Sequence, residues 1–110
     1  MKVTIERSVF LKALGHVQSV VERRNTIPIL SNVLLQAEGA TLALTATDLD
    51  IEIAEQASAD VEVQGAVTAS ALTLYEIVRR LPEGAQVRLD TEGDGGRLKL
   101  SAGKSEFSLA

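Results

Sequence analysis

One pattern occurs twice along this chain of 110 residues: a short strand, an amphipathic helix, and then several strands in close succession. With an offset of 64 residues, the apolar stripe of the first predicted helix matches that of the second, pairing Phe10 with Leu74, Leu14 with Val78 and Val17 with Leu81. With an offset of 56 residues, segment 42–46 matches segment 98–102, and Ile51 and Ile53 match Phe107 and Leu109. Such a repeat predicts an α+β domain made of two pseudo-symmetric strand-helix-strands units, with two helices packed on antiparallel sheet.

Hydrophobic periodicity predicts the elements of the first unit. Apolar and polar residues alternate in segment 2–6, as in a half-buried strand. The helix that follows is predicted to start with Ser8 as its N-cap and to end by Arg24, because Ile27 precedes Pro28 and is pushed toward an extended backbone. Further strands are predicted at 32–36, at 41–47 and around Ile51 and Ile53, with turns between them.

The second unit follows segment 58–65, which is polar enough for a connection, although Val61 and Val63 could extend a strand. Ser70 is the predicted N-cap of the second helix, and the sequence Pro82-Glu83-Gly84 ends that helix. Strands are then predicted at 86–91, 97–101 and 105–109.

Composition is that of one soluble globular domain, spanning residues 1–110, with halves of about 1–57 and 66–110. The chain has no cysteine, which excludes disulfides and thiolate chemistry and fits a cytoplasmic location. No apolar run approaches the roughly 20 residues that a membrane-spanning helix needs. The net charge of −4 argues against a general nucleic-acid binder.

Positive charge is nevertheless concentrated in particular places. Up to Arg24 the chain has five lysines or arginines against two glutamates. The helix faces opposite the apolar stripes carry Lys12, His16 and Arg23 on the first helix and Arg79 and Arg80 on the second. Related by the pseudo-twofold axis, these cations would form one positive surface that holds a phosphate backbone without reading bases.

Enzyme signatures are scarce, so no catalytic residue, cofactor or metal is predicted. The chain contains one histidine, no phosphate-binding glycine loop and no HExxH motif. Asp48, Asp50 and Glu52 alternate in the way that metal ligands on a strand do. They lack the glycine and distant glutamate of a calcium loop, which favours a solvated turn. The glycines of segment 93–96 lie between two strands and indicate a hairpin turn.

Four segments together resemble the bacterial DNA polymerase III beta subunits, the sliding clamps: RNTIPILSNVLLQ, LTATDLDIEI, RRLPEGAQV and KSEFSLA. The resemblance extends collinearly from Met1 to Ala110 and corresponds to the first of the three domains of such a subunit. It implies that each domain is a doubled strand-helix-strands unit and that two subunits close head to tail into a ring. Helices line the hole through which duplex DNA passes, and the ring tethers the replicative polymerase without catalytic activity.

Individual roles also follow from the resemblance. Arg24 and Arg79 match arginines of the family that face DNA in the pore, and Lys12, His16, Arg23 and Arg80 extend that surface by helix geometry. Phe107, Leu109 and Lys104 match residues of the last strand that meet the partner subunit. Glu106 departs from the family, since it stands where relatives carry a cation. The groove that binds polymerase and clamp-loader peptides lies between the second and third domains and is therefore outside this segment.

A second hypothesis is a stand-alone protein-interaction module. The apolar strand that ends at Leu109 is predicted to lie at a sheet edge, and an unpaired apolar edge favours self-association. A third hypothesis, a hydrolase or metalloenzyme, has no supporting group of residues.

Overall fold

A computed structural model describes the backbone of residues 1–24, 32–47, 52–92 and 97–109, and the side chains of these ranges except those of residues 19–24 and 47. The first unit contains β1 (Lys2–Glu6), α1 (Arg7–Arg24), β2 (Asn32–Glu38), β3 (Thr41–Thr47) and β4 (Glu52–Ser58). A short strand, β5 (Asp60–Val63), lies between the units. The second unit contains β6 (Gly65–Ser70), α2 (Ala71–Arg79), β7 (Gln86–Asp90), β8 (Leu98–Ala102) and β9 (Ser105–Leu109).

The strands form two antiparallel sheets, and the two units exchange their first strands between them. One sheet has the order β5-β1-β7-β8-β9 and the other the order β4-β3-β2-β6. Strand β1 therefore pairs with β7 of the second unit, and β6 pairs with β2 of the first. The predicted α+β fold with two helices on antiparallel sheet is confirmed, with its strands divided over two sheets.

Burial follows the repeat closely. The three helix pairs of the sequence comparison, including Phe10 and Leu74, are all buried. In β3 and β8 the matching residues are also buried, namely Leu42, Leu44 and Ala46 against Leu98, Leu100 and Ala102. All of these side chains belong to one continuous apolar core between the sheets and the helices. In the described part of the chain, that core contains no buried polar or charged residue.

Strand register corrects one part of the repeat. Leu42 lies opposite Ala57, and its counterpart Leu98 lies opposite Leu109. The counterparts of Phe107 and Leu109 are therefore Glu55 and Ala57, so the match with Ile51 and Ile53 is wrong. The connection between β3 and β4 is longer than that between β8 and β9, which shifts the offset after Ala46.

Two local predictions are also wrong. Helix α1 begins at Arg7, directly after β1, so Ser8 lies inside its first turn and is not its N-cap. Its hydroxyl donates instead to Glu6 Oε1 at 2.5 Å. Segment 58–65 is more than a connection, because β4 runs to Ser58 and β5 contains Val61 and Val63. The alternative that these valines belong to a strand is confirmed, although β5 is a separate strand in the other sheet and does not extend β4.

The ends of α2 agree with prediction. The Ser70 hydroxyl accepts a hydrogen bond from the backbone N–H of Thr73 at 3.2 Å, as an N-cap should. After the C-cap residue Arg80, Gly84 adopts a φ of 80°, which a side chain would strain. The predictions for Pro28, Ile51, the turn at Asp48 and Asp50, and the hairpin at 93–96 lie outside the described residues.

Candidate nucleic-acid interface

The polar face of α1 exposes the two predicted basic side chains that the structure describes. Lys12 and His16 are exposed, on the side of the helix opposite the buried Phe10, Leu14 and Val17. His16 Nδ1 lies 2.8 Å from Glu55 Oε1 on β4. Of these two side chains, that of His16 is thus in contact with a carboxylate of the neighbouring sheet.

Arg23 and Arg24 form the last two residues of α1, as the sequence predicted. Their side chains lie outside the described residues, so their assignment to DNA stays a prediction. The backbone gives their place only: the end of α1, immediately before the connection to β2.

Helix α2 presents two exposed arginines beside one glutamate. Arg79 Nη2 lies 2.7 Å from Glu76 Oε2, and Arg80 Nη2 lies 3.5 Å from the same oxygen. The side chains are 50% exposed for Arg79, 75% for Arg80 and 37% for Glu76. The hydrogen bond that Arg79 donates to Glu76 and the negative charge of this carboxylate raise the pKa of Arg79, which favours the charged form of its guanidinium.

Arg7 joins this group, and sequence reasoning missed it. From the first turn of α1, its Nε donates to the carbonyl of Val78 at 3.3 Å and its Nη2 to that of Arg79 at 2.9 Å. Both carbonyls lie at the end of α2, and that of Val78 also accepts from the backbone N–H of Leu81 at 3.1 Å, so Arg7 gives it a second donor. The contact joins residues more than 70 positions apart in sequence, so no local pattern signals it.

The result is a cluster of three guanidinium groups and one carboxylate at the C-terminal end of α2, here called the arginine cluster: Arg7, Arg79, Arg80 and Glu76. Its net positive charge also faces the negative end of the α2 dipole, which stabilises it there. No hydrogen bond or ion pair between described residues connects the cluster with Lys12 or His16. Each helix thus carries exposed basic side chains with a glutamate nearby: Glu76 on α2 and, beside α1, Glu55 of β4.

Among the described strands, β9 lies at the edge of the five-stranded sheet and pairs with β8. Phe107 is 38% exposed, whereas Leu109 is only 8% exposed and belongs to the core. Lys104 is exposed in the turn before β9, and Glu106 Oε1 lies 3.5 Å from Lys99 Nζ on β8. Of the predicted interface residues, Phe107 and Lys104 are thus available to another chain, and Leu109 supports the strand from inside.

Neither helix, over the residues that the structure describes, is long and apolar enough to cross a membrane. Within the same residues, no group of three or more histidine and carboxylate side chains is arranged to hold a metal ion. Glu52, one of the three carboxylates considered for such a site, begins β4 and is exposed.

Comparison with known proteins gives consistent results. The family model for the N-terminal domain of the DNA polymerase III beta subunit matches residues 1–110. A beta sliding clamp of Caulobacter vibrioides is 63% identical over 109 residues, which are 99% of this chain and 29% of that protein. The beta sliding clamp of Escherichia coli K12 is 42% identical over 111 residues, covering all of this chain and 30% of that protein.

Solved structures of the same kind share the fold. The Caulobacter crescentus pol III beta structure superposes with a TM-score of 0.90 at 63% identity, over 99% of this chain and 30% of that one. A Pseudomonas aeruginosa DNA polymerase III subunit beta gives a TM-score of 0.88 at 39% identity, over all of this chain and 30% of that one. The chain spans about three-tenths of the length of these relatives. Since the match covers the whole chain in sequence and in fold, this chain belongs to the family of DNA polymerase III beta subunit N-terminal domains.

Proposed function

We propose that this chain is the first of three domains in a sliding-clamp subunit, which forms a ring around duplex DNA and tethers the replicative DNA polymerase. The observation that carries the proposal is the match of all 110 residues to the N-terminal domain of the beta subunit. The arginine cluster supports it, because it concentrates positive charge on a chain whose net charge is −4. In this role the chain provides a surface and performs no catalysis.

Contact with DNA is assigned first to Arg24 and Arg79, with Lys12, His16, Arg23 and Arg80 extending the surface. Such side chains meet phosphates and leave the base edges unread, so the binding is independent of sequence. A single domain cannot encircle a duplex, so its own affinity for DNA is low and depends strongly on salt.

The remaining partners belong to the whole subunit. The exposed edge of β9, with Phe107 and Lys104, would pair with a strand of a second clamp subunit in a head-to-tail ring. The polymerase and the clamp loader would bind between the second and third domains, outside this chain. A cytoplasmic location goes with this role.

Titration with a short DNA duplex tests the DNA-facing assignment. Replacing Arg24 and Arg79 together by alanine should weaken binding and reduce the slope of log affinity against log salt by about 0.9 for each phosphate that the variant no longer neutralises. The control is Arg88→Ala, which removes an exposed arginine paired with Glu62 at 3.5 Å on the outward face of β7. Unchanged affinity and slope in the double variant would show that these arginines do not face DNA.

Exposed Phe107 on an edge strand favours one other function, a module that associates with itself. Sedimentation of the chain at micromolar concentration separates the two: a dimer that Phe107→Asp dissociates supports the module, and a monomer supports the clamp domain. Val63→Asp is the matched control, because Val63 is 39% exposed on β5, at the opposite edge of the same sheet.

A further inference from the structure

Glu76 is placed where it competes with any anion for the arginines of α2. One of its oxygens, Oε2, lies 2.7 Å from Arg79 and 3.5 Å from Arg80, so both guanidinium groups are directed toward a single carboxylate. All three side chains are at least one-third exposed, so a phosphate in solution can reach both arginines. A phosphate bound there would lie close to the Glu76 carboxylate. The third arginine of the cluster, Arg7, already donates to two helix carbonyls.

We propose that Glu76 limits the affinity of Arg79 and Arg80 for a duplex phosphate backbone and thereby keeps that contact weak and short-lived. This inference rests on the proposed function, and it deepens it by naming a residue that sets the strength of the contact. A clamp domain has to hold DNA without fixing its position along the helix. A carboxylate within the cationic surface provides this, since each approaching phosphate has to displace or repel it.

An opposite role for Glu76 would be to hold the arginines in a geometry ready for phosphate. Exposed ion pairs three or four residues apart on a helix gain little from ordering two long side chains, because both remain solvated. A carboxylate a few ångströms from a bound phosphate, by contrast, repels it in every arrangement. Competition therefore outweighs preorganisation at this site.

The first helix contains a similar arrangement. His16 is the counterpart of Arg80 at the 64-residue offset, and it contacts Glu55 at 2.8 Å. A glutamate next to an exposed basic side chain thus occurs on both helices of the repeat. The two glutamates come from different elements, α2 and β4, so the arrangement does not depend on one local sequence.

The test is Glu76→Gln, which removes the charge and keeps the shape and helix propensity of the side chain. Affinity of the 110-residue chain for a short random-sequence duplex is measured between about 20 and 200 mM salt, where screening varies most. Glu76→Gln should bind roughly threefold to tenfold more tightly at the lowest salt, with a salt slope steeper by up to about 0.9. Glu76→Asp keeps the charge and should retain the wild-type affinity and slope.

The matched control is Glu106→Gln, which also removes one glutamate from an exposed ion pair and changes the net charge equally. Glu106 and Lys99 lie on the outward face of the sheet, since Leu98, Leu100 and Ala102 of β8 point to the core. This variant should bind DNA like the wild type. If it gained as much affinity as Glu76→Gln, the effect would be one of net charge and the proposal would be overturned.

The remaining outcomes separate this inference from the proposed function. If Arg79→Ala weakens binding but Glu76→Gln leaves it unchanged or weaker, the inference is wrong and the DNA-facing role of α2 stands. If neither the wild type nor Glu76→Gln binds at the lowest salt, the inference and the assignment of α2 to DNA both fail. Tighter binding by Glu76→Gln that Arg79→Ala then abolishes supports both.

Discussion

Arg7 connects the start of one helix to the end of the other. Its backbone N–H donates to the carbonyl of Ala85 at 2.9 Å, and its guanidinium donates to the carbonyls of Val78 and Arg79. The last carbonyls of a helix have no partner inside it, and a cation there also interacts favourably with the helix dipole. Arg7 therefore stabilises the end of α2 at which Arg79 and Arg80 stand.

Replacing Arg7 by alanine should lower the free energy of unfolding by about 1 kcal/mol, because it removes two charge-assisted hydrogen bonds at a half-exposed site. Urea unfolding measures the change. Arg7→Lys should retain only part of the lost stability, since one ammonium group cannot replace the separate Nε and Nη2 donors of the guanidinium. Arg88→Ala serves as the control, because its exposed pair with Glu62 at 3.5 Å contributes little. Equal losses in the two alanine variants would contradict the anchoring role of Arg7.

Ser70 stabilises the other end of α2. Its hydroxyl accepts from the backbone N–H of Thr73, and removing such an N-cap typically costs about 1 kcal/mol. We expect Ser70→Ala to lower the urea concentration at the midpoint of unfolding, without changing the slope of the unfolding free energy against urea concentration. Ser108→Ala, on the exposed face of β9, should leave the midpoint where it is. A midpoint unchanged by Ser70→Ala would mean that this cap adds nothing to the stability of the helix.

At the scale of elements, a glycine of α1 lies beside a tyrosine of α2. Gly15 lies in the middle of α1, and a Cβ built on it would stand 3.5 Å from Tyr75 Cε1, an ordinary van der Waals distance. There is thus room for one methyl group but for little more. A glycine inside a helix lowers its propensity, so burial of Phe10, Leu14 and Val17 has to stabilise α1.

Gly15→Ala should therefore stabilise the chain by up to about 1 kcal/mol, the difference in helix propensity between the two residues. Gly15→Leu should destabilise it, because the larger side chain has to displace the Tyr75 ring. Gly84→Ala makes the same chemical change where φ is 80°, and it should lower stability. Thermal unfolding of the three variants measures whether each change in stability has the expected direction. A loss of stability in Gly15→Ala would show that there is no room for the methyl group between the helices.

Elements and their buried faces were largely predictable from the sequence. The stripe of Leu74 and Val78 and the alternation around Leu98 and Leu100 specify which face of each element is buried, because periodicity depends only on neighbours along the chain. Contacts across the fold were not predictable in this way. Arg7 reaches Val78, and His16 reaches Glu55, across long stretches of sequence that carry no local signal. The pair of Glu76 with Arg80, the C-cap residue of α2, is local, because side chains four residues apart lie close together on a helix.

At the scale of the whole molecule, the exchange of first strands joins the two units. Strand β1 lies between β5 and β7, and β6 completes the sheet of β2, β3 and β4. The repeat predicted the content of each unit but not this exchange, because the alternation of a strand specifies its buried face and not its neighbour. Each sheet consequently contains strands from both units, and both sheets enclose the same core.

Because of this exchange, we expect the chain to unfold in a single cooperative transition. Val33 on β2 and Val87 on β7 occupy equivalent places in the two units, and both are fully buried. Replacing either by alanine should cost about 2 kcal/mol, from reduced burial and the cavity left behind.

In each variant, the fluorescence of Tyr75, the single tyrosine in a chain without tryptophan, and the far-ultraviolet circular dichroism should shift together in urea. If Val33→Ala shifted the circular dichroism transition and left the tyrosine transition in place, the units would unfold separately. The exchanged strands would then not couple them, since Tyr75 reports on α2 and Val33 lies in the opposite unit.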